Sequence, residues 1–231
     1  MTQEADAPDA RRARGSDEGT DAVSRNVLLL PLLLTLTFAS CSLLPAVQSV
    51  PSARWSFIGA AAGLGVWLAG LAIATTRRRR RLMMTFDLRP QHYLQACMQG
   101  SVLLYWGYYW REVYHSAHLI AAQLLFAYAF DMLLAWSRRD TYSLGFGPFP
   151  VIFSINLFLW FKPQWFYLQC LLVGAGFAAK ELIRWQKGGR QVHIFNPSSF
   201  PLGLFALALL ATGSTDMTWG QEIATTLNNA P

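Results

Sequence analysis

The stretch WSFIGAAAGLGVWLAGLAIATT, residues 55–76, followed at once by RRRRR, residues 77–81, decides how the whole chain is read. Twenty-two residues without a formal charge make a helix of roughly 33 Å, enough to cross the ~30 Å hydrocarbon core of a bilayer. The arginine run then stops the helix at the headgroups. Within the helix, Gly59-Ala60-Ala61-Ala62-Gly63, Gly65 and Gly70 put small residues at spacings that let a second helix approach closely in lipid, so this face reads as a packing surface.

Working outward, six more charge-free stretches cover 26–53, 90–110, 113–130, 141–161, 163–179 and 191–215. If the N-terminus is cytoplasmic and the chain alternates, sixteen of the nineteen Lys and Arg lie inside, and only Arg54, Arg111 and Lys162 lie outside. The positive-inside rule is rarely met so evenly by accident. The expected fold is all-α: a polytopic membrane protein of about seven transmembrane helices with a cytoplasmic N-terminus. Helices are expected near 27–44, 55–76, 93–110, a fourth ending near 138, then 149–161, 165–183 and 198–212.

The composition agrees, with 53% hydrophobic and 14% charged residues against roughly 25% charged in an average soluble domain. A net charge of +6 spread over loops is explained by topology and anionic lipid rather than by nucleic acid, which the charge pattern argues against. Cys41, Cys97 and Cys170 each sit inside an apolar run, without metal-ligand spacing.

Residues 1–25 hold almost no side chain able to enter a core, which predicts a disordered cytoplasmic tail ahead of a transmembrane domain over 26–231. Residues 213–231 carry no Lys or Arg and end on Asn228-Asn229-Ala230-Pro231, as the middle of an outer loop would. Two expectations fit that pattern: a chain cut short at its C-terminus, or an unusual end. Tyr105-Trp106-Gly107-Tyr108-Tyr109-Trp110, Trp160-Phe161 and Trp165-Phe166-Tyr167 all fall at the outer ends, as aromatic belts do.

Polar groups at membrane depth are costly unless paired or wet, so they are the candidates for chemistry. Asp131 lies seven residues before Arg138. Two readings stand: a carboxylate paired with Arg138, or a proton or cation site. Lys180 and Glu181 are expected to snorkel at the inner end of the sixth helix, with Glu181 and Arg184 at i,i+3. Glu112, His115 and His118 stand three apart, and Glu-x-x-His is a known metal-ligand spacing. A single such set without a second carboxylate pair argues weakly for a metal, and none is assigned.

The densest constellation is GGRQVHIFNPSSFP, residues 188–201. Asn196 suits an N-cap and Pro197 a first helical position, which leaves residues 191–195 as irregular backbone before the seventh helix. Gly145-Phe146-Gly147-Pro148-Phe149-Pro150 breaks the chain in the same way before the fifth helix. Paired Pro/Gly breaks at membrane depth point to a binding site at helix N-termini, or else to two tight re-entry turns.

These residues, with the apolar hairpin 153–180 broken at Lys162-Pro163, resemble the NqrB/RnfD family of membrane electron-transport subunits. The His-Ile-Phe-Asn-Pro-Ser form is closer still to its offshoot known as enediyne-biosynthesis membrane proteins. The likeness covers roughly 140–215. It implies a bacterial cytoplasmic-membrane protein, multi-pass, that binds flavin or quinone in an electron-transfer or ion-translocating assembly with other membrane redox subunits. On the matching positions it implies His193, Asn196 and Ser198 as cofactor-binding residues. The family's covalent flavin sits on a Thr in an Asp-Gly-x-Ser-x-Ala-Thr type motif. Here the corresponding segment is Thr212-Gly213-Ser214-Thr215-Asp216-Met217-Thr218, so the expected cofactor is a non-covalent FMN or riboflavin. The other reading is a non-redox small-molecule transporter or a self-protection membrane protein of a natural-product pathway. No nucleophile–base triad or phosphate loop marks a catalytic set.

Overall fold

Prolines open three of the long helices, at Pro51, Pro90 and Pro148, where the missing N–H has no intrahelical partner to lose. The computed structural model describes residues 27–187 and 190–229, without the side chains of 187, 190–193 and 227–229. The expected tail over 1–25 lies outside the described residues. In chain order, α1 is Leu29–Ser40, α2 Pro51–Arg77, β1 Met83–Phe86, α3 Pro90–Tyr109 and α4 Ala117–Arg138. Then come β2 Thr141–Leu144, α5 Pro148–Phe158, α6 Phe166–Leu182, β3 Arg184–Lys187, β4 Arg190–His193, α7 Ser199–Thr212 and α8 Gly220–Asn229. Single helical turns at Cys41–Leu43, Pro45–Gln48, Glu112–His115, Pro163–Trp165 and Thr215–Met217 join them. At 76% helix, the chain is consistent with an all-α class. Two short β-ribbons were not expected, and neither was α8 inside the segment read as loop.

Among the described residues two helices, α2 and α4, are long and apolar enough to cross a membrane. The others are shorter or more polar, and α5, at 11 residues, rises only ~16 Å. Pro148 opens it and the extended backbone at Leu159 closes it.

The C-terminal ends of α2, α4 and α6 lie together at a basic end, and those of α3 and α5 at an aromatic end. At the basic end Arg80, just past α2, donates to the Trp136 carbonyl at 2.9 Å and pairs with Asp140 at 2.6 Å beyond α4. The same end holds the parallel pair β1–β2, in register from Met83↔Thr141 to Phe86↔Leu144, and the antiparallel hairpin β3–β4. That hairpin replaces the irregular backbone expected over 191–195 as far as His193, and Ile194 and Phe195 remain irregular.

α4 is the central helix and packs against α1, α2, α5 and α6. Phe57 stacks on Phe166 at 4.7 Å and lies 4.9 Å from Phe38, which knits α1, α2 and α6 together. Inside the core, a closed set of amides ties three helices. Asn156 of α5 donates to Gln123 of α4 at 2.9 Å and accepts from it at 3.1 Å. Gln169 of α6 donates to Gln123 at 3.1 Å and accepts the Phe161 backbone N–H at 2.9 Å. The last bond satisfies backbone freed by the early end of α5, which a buried site demands.

Two expectations need correction here. A Cβ added at Gly59, Gly63, Gly65 or Gly70 would meet nothing within 4 Å, so no helix among the described residues packs closely on these glycines of α2. Trp106, Trp160, Phe161 and Phe166 are buried rather than held at a lipid interface. They fill the aromatic end, where Trp110 meets Trp106 at 5.0 Å, Trp219 at 5.8 Å and Trp160 at 6.3 Å. The cause is α8 and its approach, which cover rings that would otherwise face outward: Thr226 of α8 accepts the Trp106 indole N–H at 3.0 Å. Tyr105, Tyr108 and Tyr109 remain exposed, as belt residues should.

Candidate functional site

Both Pro/Gly breaks come to one place. A cavity of about 550 Å³ at the basic end is lined by Gly145, Gly147, Pro148 and Pro150 from the first break and by Asn196, Pro197, Ser198 and Ser199 from the second. A cavity of that size suits a small organic ligand. Asp131 of α4, Lys180 of α6, Tyr142 and Ser143 of β2, and Arg139 supply a polar wall. Val151, Phe158 and Leu202 supply an apolar one, and Asp87, Arg89, His92 and Gln95 form the side towards α3.

Local chemistry explains how the breaks are shaped. In the first, the β1–β2 pairing draws Asp87 against the loop, where its N–H donates to the Leu144 carbonyl at 2.9 Å. A Cβ on Gly145 would strike the Asp87 carbonyl oxygen, so only glycine fits there. The Tyr128 hydroxyl donates to the Gly145 carbonyl at 2.7 Å.

In the second break, Asn196 Oδ1 accepts the Ser198 N–H at 2.9 Å, the Ser198 hydroxyl at 2.8 Å and the Ser199 N–H at 3.4 Å. The Phe200 N–H reaches the Asn196 carbonyl at 3.1 Å. Asn196 thus caps the helix by its bonds, although regular α7 begins three residues later. Gly176 of α6 allows this turn to close, because a Cβ there would overlap the Pro197 carbonyl. Of the three residues implied as cofactor-binding, Asn196 and Ser198 line the cavity. His193 ends β4 with its backbone paired to Arg184; its side chain lies outside the described residues.

The Asp131 expectation is corrected. Its partners are the Lys180 ammonium at 3.5 Å and the Tyr142 hydroxyl, which donates at 3.2 Å, not Arg138. Seven residues of helix separate Asp131 from Arg138 by ~10 Å, and Asp131 turns into the cavity instead. Burial of Tyr142, and next the neighbouring Asp131 carboxylate, push the phenol above its usual pKa, so it stays a proton donor.

Glu181 does not snorkel. It is 3% exposed and accepts from Arg139 at 2.7 Å and Arg184 at 2.5 Å, with Arg138 at 3.9 Å. This clamp fixes the end of α4, the end of α6 and the hairpin that leads to Asn196. At the aromatic end Glu112 accepts the Ser116 hydroxyl at 2.9 Å. Among the described residues no group of three His, Cys, Asp or Glu gathers to hold a metal.

Sequence reading missed Lys180 as the partner of Asp131, and it missed Tyr142, Arg139 and His92 as parts of one site. Only the fold brings residues from such distant positions together. No protein-family model, no curated protein and no solved structure matches the chain.

Proposed function

We propose that this chain is a multi-pass protein of the bacterial cytoplasmic membrane, with its N-terminus inside, that holds a non-covalent flavin, FMN or riboflavin, in the basic-end cavity. In this reading it serves an electron-transfer or ion-translocating assembly as an NqrB/RnfD-like subunit, in contact with lipid and with other membrane redox subunits. The observation that carries the proposal is the meeting of both Pro/Gly breaks on one cavity beside Asp131 and Lys180. Broken helices are tolerated at membrane depth where they line a cavity or are buried in protein.

The membrane part is supported by α2 and α4. It is also supported by large apolar side chains turned outward on several helices, among them Val66 at 75%, Leu207 at 68% and Leu104 at 66% exposure. Surfaces of that kind belong in lipid or against a partner. Seven crossings with the Arg-rich loops inside are the topology proposed, and the grouping of the basic ends of α2, α4 and α6 supports the sidedness.

The residues present fit a flavin. The apolar wall suits a ring system, the polar wall suits its heteroatom edge, and Asn196 and Ser198 would hold its polar tail, with His193 as a third candidate. A bound flavin would supply reversible electron transfer, while the protein positions it and tunes its surroundings. The test is the visible spectrum and extracted cofactor of the full chain purified from its own membranes. Flavin released by denaturation without covalent attachment supports the proposal. A colourless protein that a non-redox substrate stabilises overturns it in favour of a transporter.

A further inference from the structure

Asp131 and Lys180 do not make a closed ion pair. Their contact is long, 3.5 Å, and single. Next along the chain from Lys180, Glu181 is gripped by two guanidinium groups at 2.5 and 2.7 Å. Both described contacts to Asp131, from Lys180 and from Tyr142, fall on Oδ2. Among the described residues none falls on Oδ1, and the side chain, 9% exposed, lines the cavity.

The Lys180 ammonium has three protons, and its described partners are the Asp131 carboxylate and the face of Phe177, 5.3 Å away. The other cavity cations are engaged elsewhere. Arg139 serves Glu181 and the Thr141 carbonyl, and Arg89 serves Asp87 at 2.8 Å. The cavity wall therefore presents a donor and an acceptor side by side, with Tyr142 fixing the carboxylate.

We propose that Asp131 and Lys180 together read a lactam or imide edge, a ring N–H next to a C=O, so that the cavity accepts a flavin-type heterocycle and rejects a quinone. Lys180 donates to the ring carbonyl, Asp131 accepts the ring N–H, and Tyr142 is a positioning residue. A quinone offers carbonyls alone and would leave Asp131 Oδ1 without a donor in a site shielded from water, the mismatch that buried polar groups punish most. This rests on the cavity being a ligand site.

The test is quenching of flavin fluorescence by the full chain in detergent, with riboflavin and N3-methylriboflavin as probes and a short-chain benzoquinone as competitor. Losing a hydrogen bond to a charged group weakens binding by about ten- to a hundredfold. N3-methylriboflavin is expected to bind that much more weakly than riboflavin, and the quinone is expected not to compete. Asp131→Ala, which removes the acceptor and makes room, should bind both flavins alike. Equal affinity for the two flavins in the unaltered protein overturns the inference while leaving a flavin site standing, as does effective competition by the quinone. If neither flavin binds, both this inference and the flavin reading fall.

Discussion

Substitution at Asn196 separates a structural cap from a ligand site. In Asn196→Ala, two backbone N–H groups, those of Ser198 and Ser199, and the Ser198 hydroxyl lose their shared acceptor. A lost N-cap costs about 1–2 kcal/mol. The Ser198 side chain is buried, so water replaces the bond poorly and the upper part of that range applies. Asn196→Asp keeps an acceptor in the same place and should fold as the parent does. It also adds a negative charge to the cavity wall. At an effective dielectric of ~20, a unit charge ~8 Å from a phosphate costs ~2 kcal/mol, about thirtyfold in affinity. Asn196→Asp is therefore expected to bind FMN about thirtyfold more weakly than the parent, while neutral riboflavin changes little. Thermal unfolding in detergent and titration with both flavins provide the readout. Unchanged FMN affinity in a folded Asn196→Asp protein would refute the claim that a phosphate tail lies at this turn, and full stability in Asn196→Ala would refute the cap.

Three further outcomes follow from the core and the ends. Gln123→Leu should cost about 1–3 kcal/mol, since it orphans bonds of Asn156 and Gln169. Gln123→Leu with Asn156→Leu should cost less than the sum by about 1 kcal/mol, which a denaturant double-mutant cycle measures; strict additivity would count against the network. Glu181→Gln should lower stability by about 1–3 kcal/mol, tempered because Arg139 and Arg184 can still reach water, with side-chain exposures of 40% and 28%. Unchanged melting would show that the clamp is idle. In a cysteine-free background, cysteines at the exposed positions Ser52, Gln164 and Thr215 should react with an impermeant reagent from outside and Arg79→Cys should not; the reverse pattern overturns the topology.

Much of the helical layout is legible in the chain, for a physical reason. Uncharged runs bounded by Arg, Pro or Gly leave the backbone no way to satisfy itself except as helix, and α2, α6 and α7 begin and end within a few residues of expectation. The strands are four residues each, too short for an alternating pattern to show. The amphipathic α8 is hidden because residues 213–231 carry no Lys or Arg to mark a helix end and only a short apolar face. The two breaks of the site are visible as Gly and Pro clusters, whereas the pairing of Asp131 with Lys180, 49 positions on, depends on which face of α4 meets α6. Gln123, Asn156 and Gln169 did carry a signal: each is an amide inside an apolar run, where an unpaired polar group is expensive. Attention to titratable groups alone passed over them.

The stoichiometry of flavin bound to the full chain, measured by equilibrium dialysis with FMN for the parent and for Leu202→Trp, tests the flavin site most directly. Leu202 lines the apolar wall at the start of α7, and a larger side chain there fills the space assigned to the ring. One FMN per parent chain and none on a folded Leu202→Trp protein is the predicted result. No FMN on the parent, or equal binding by both proteins, would contradict it.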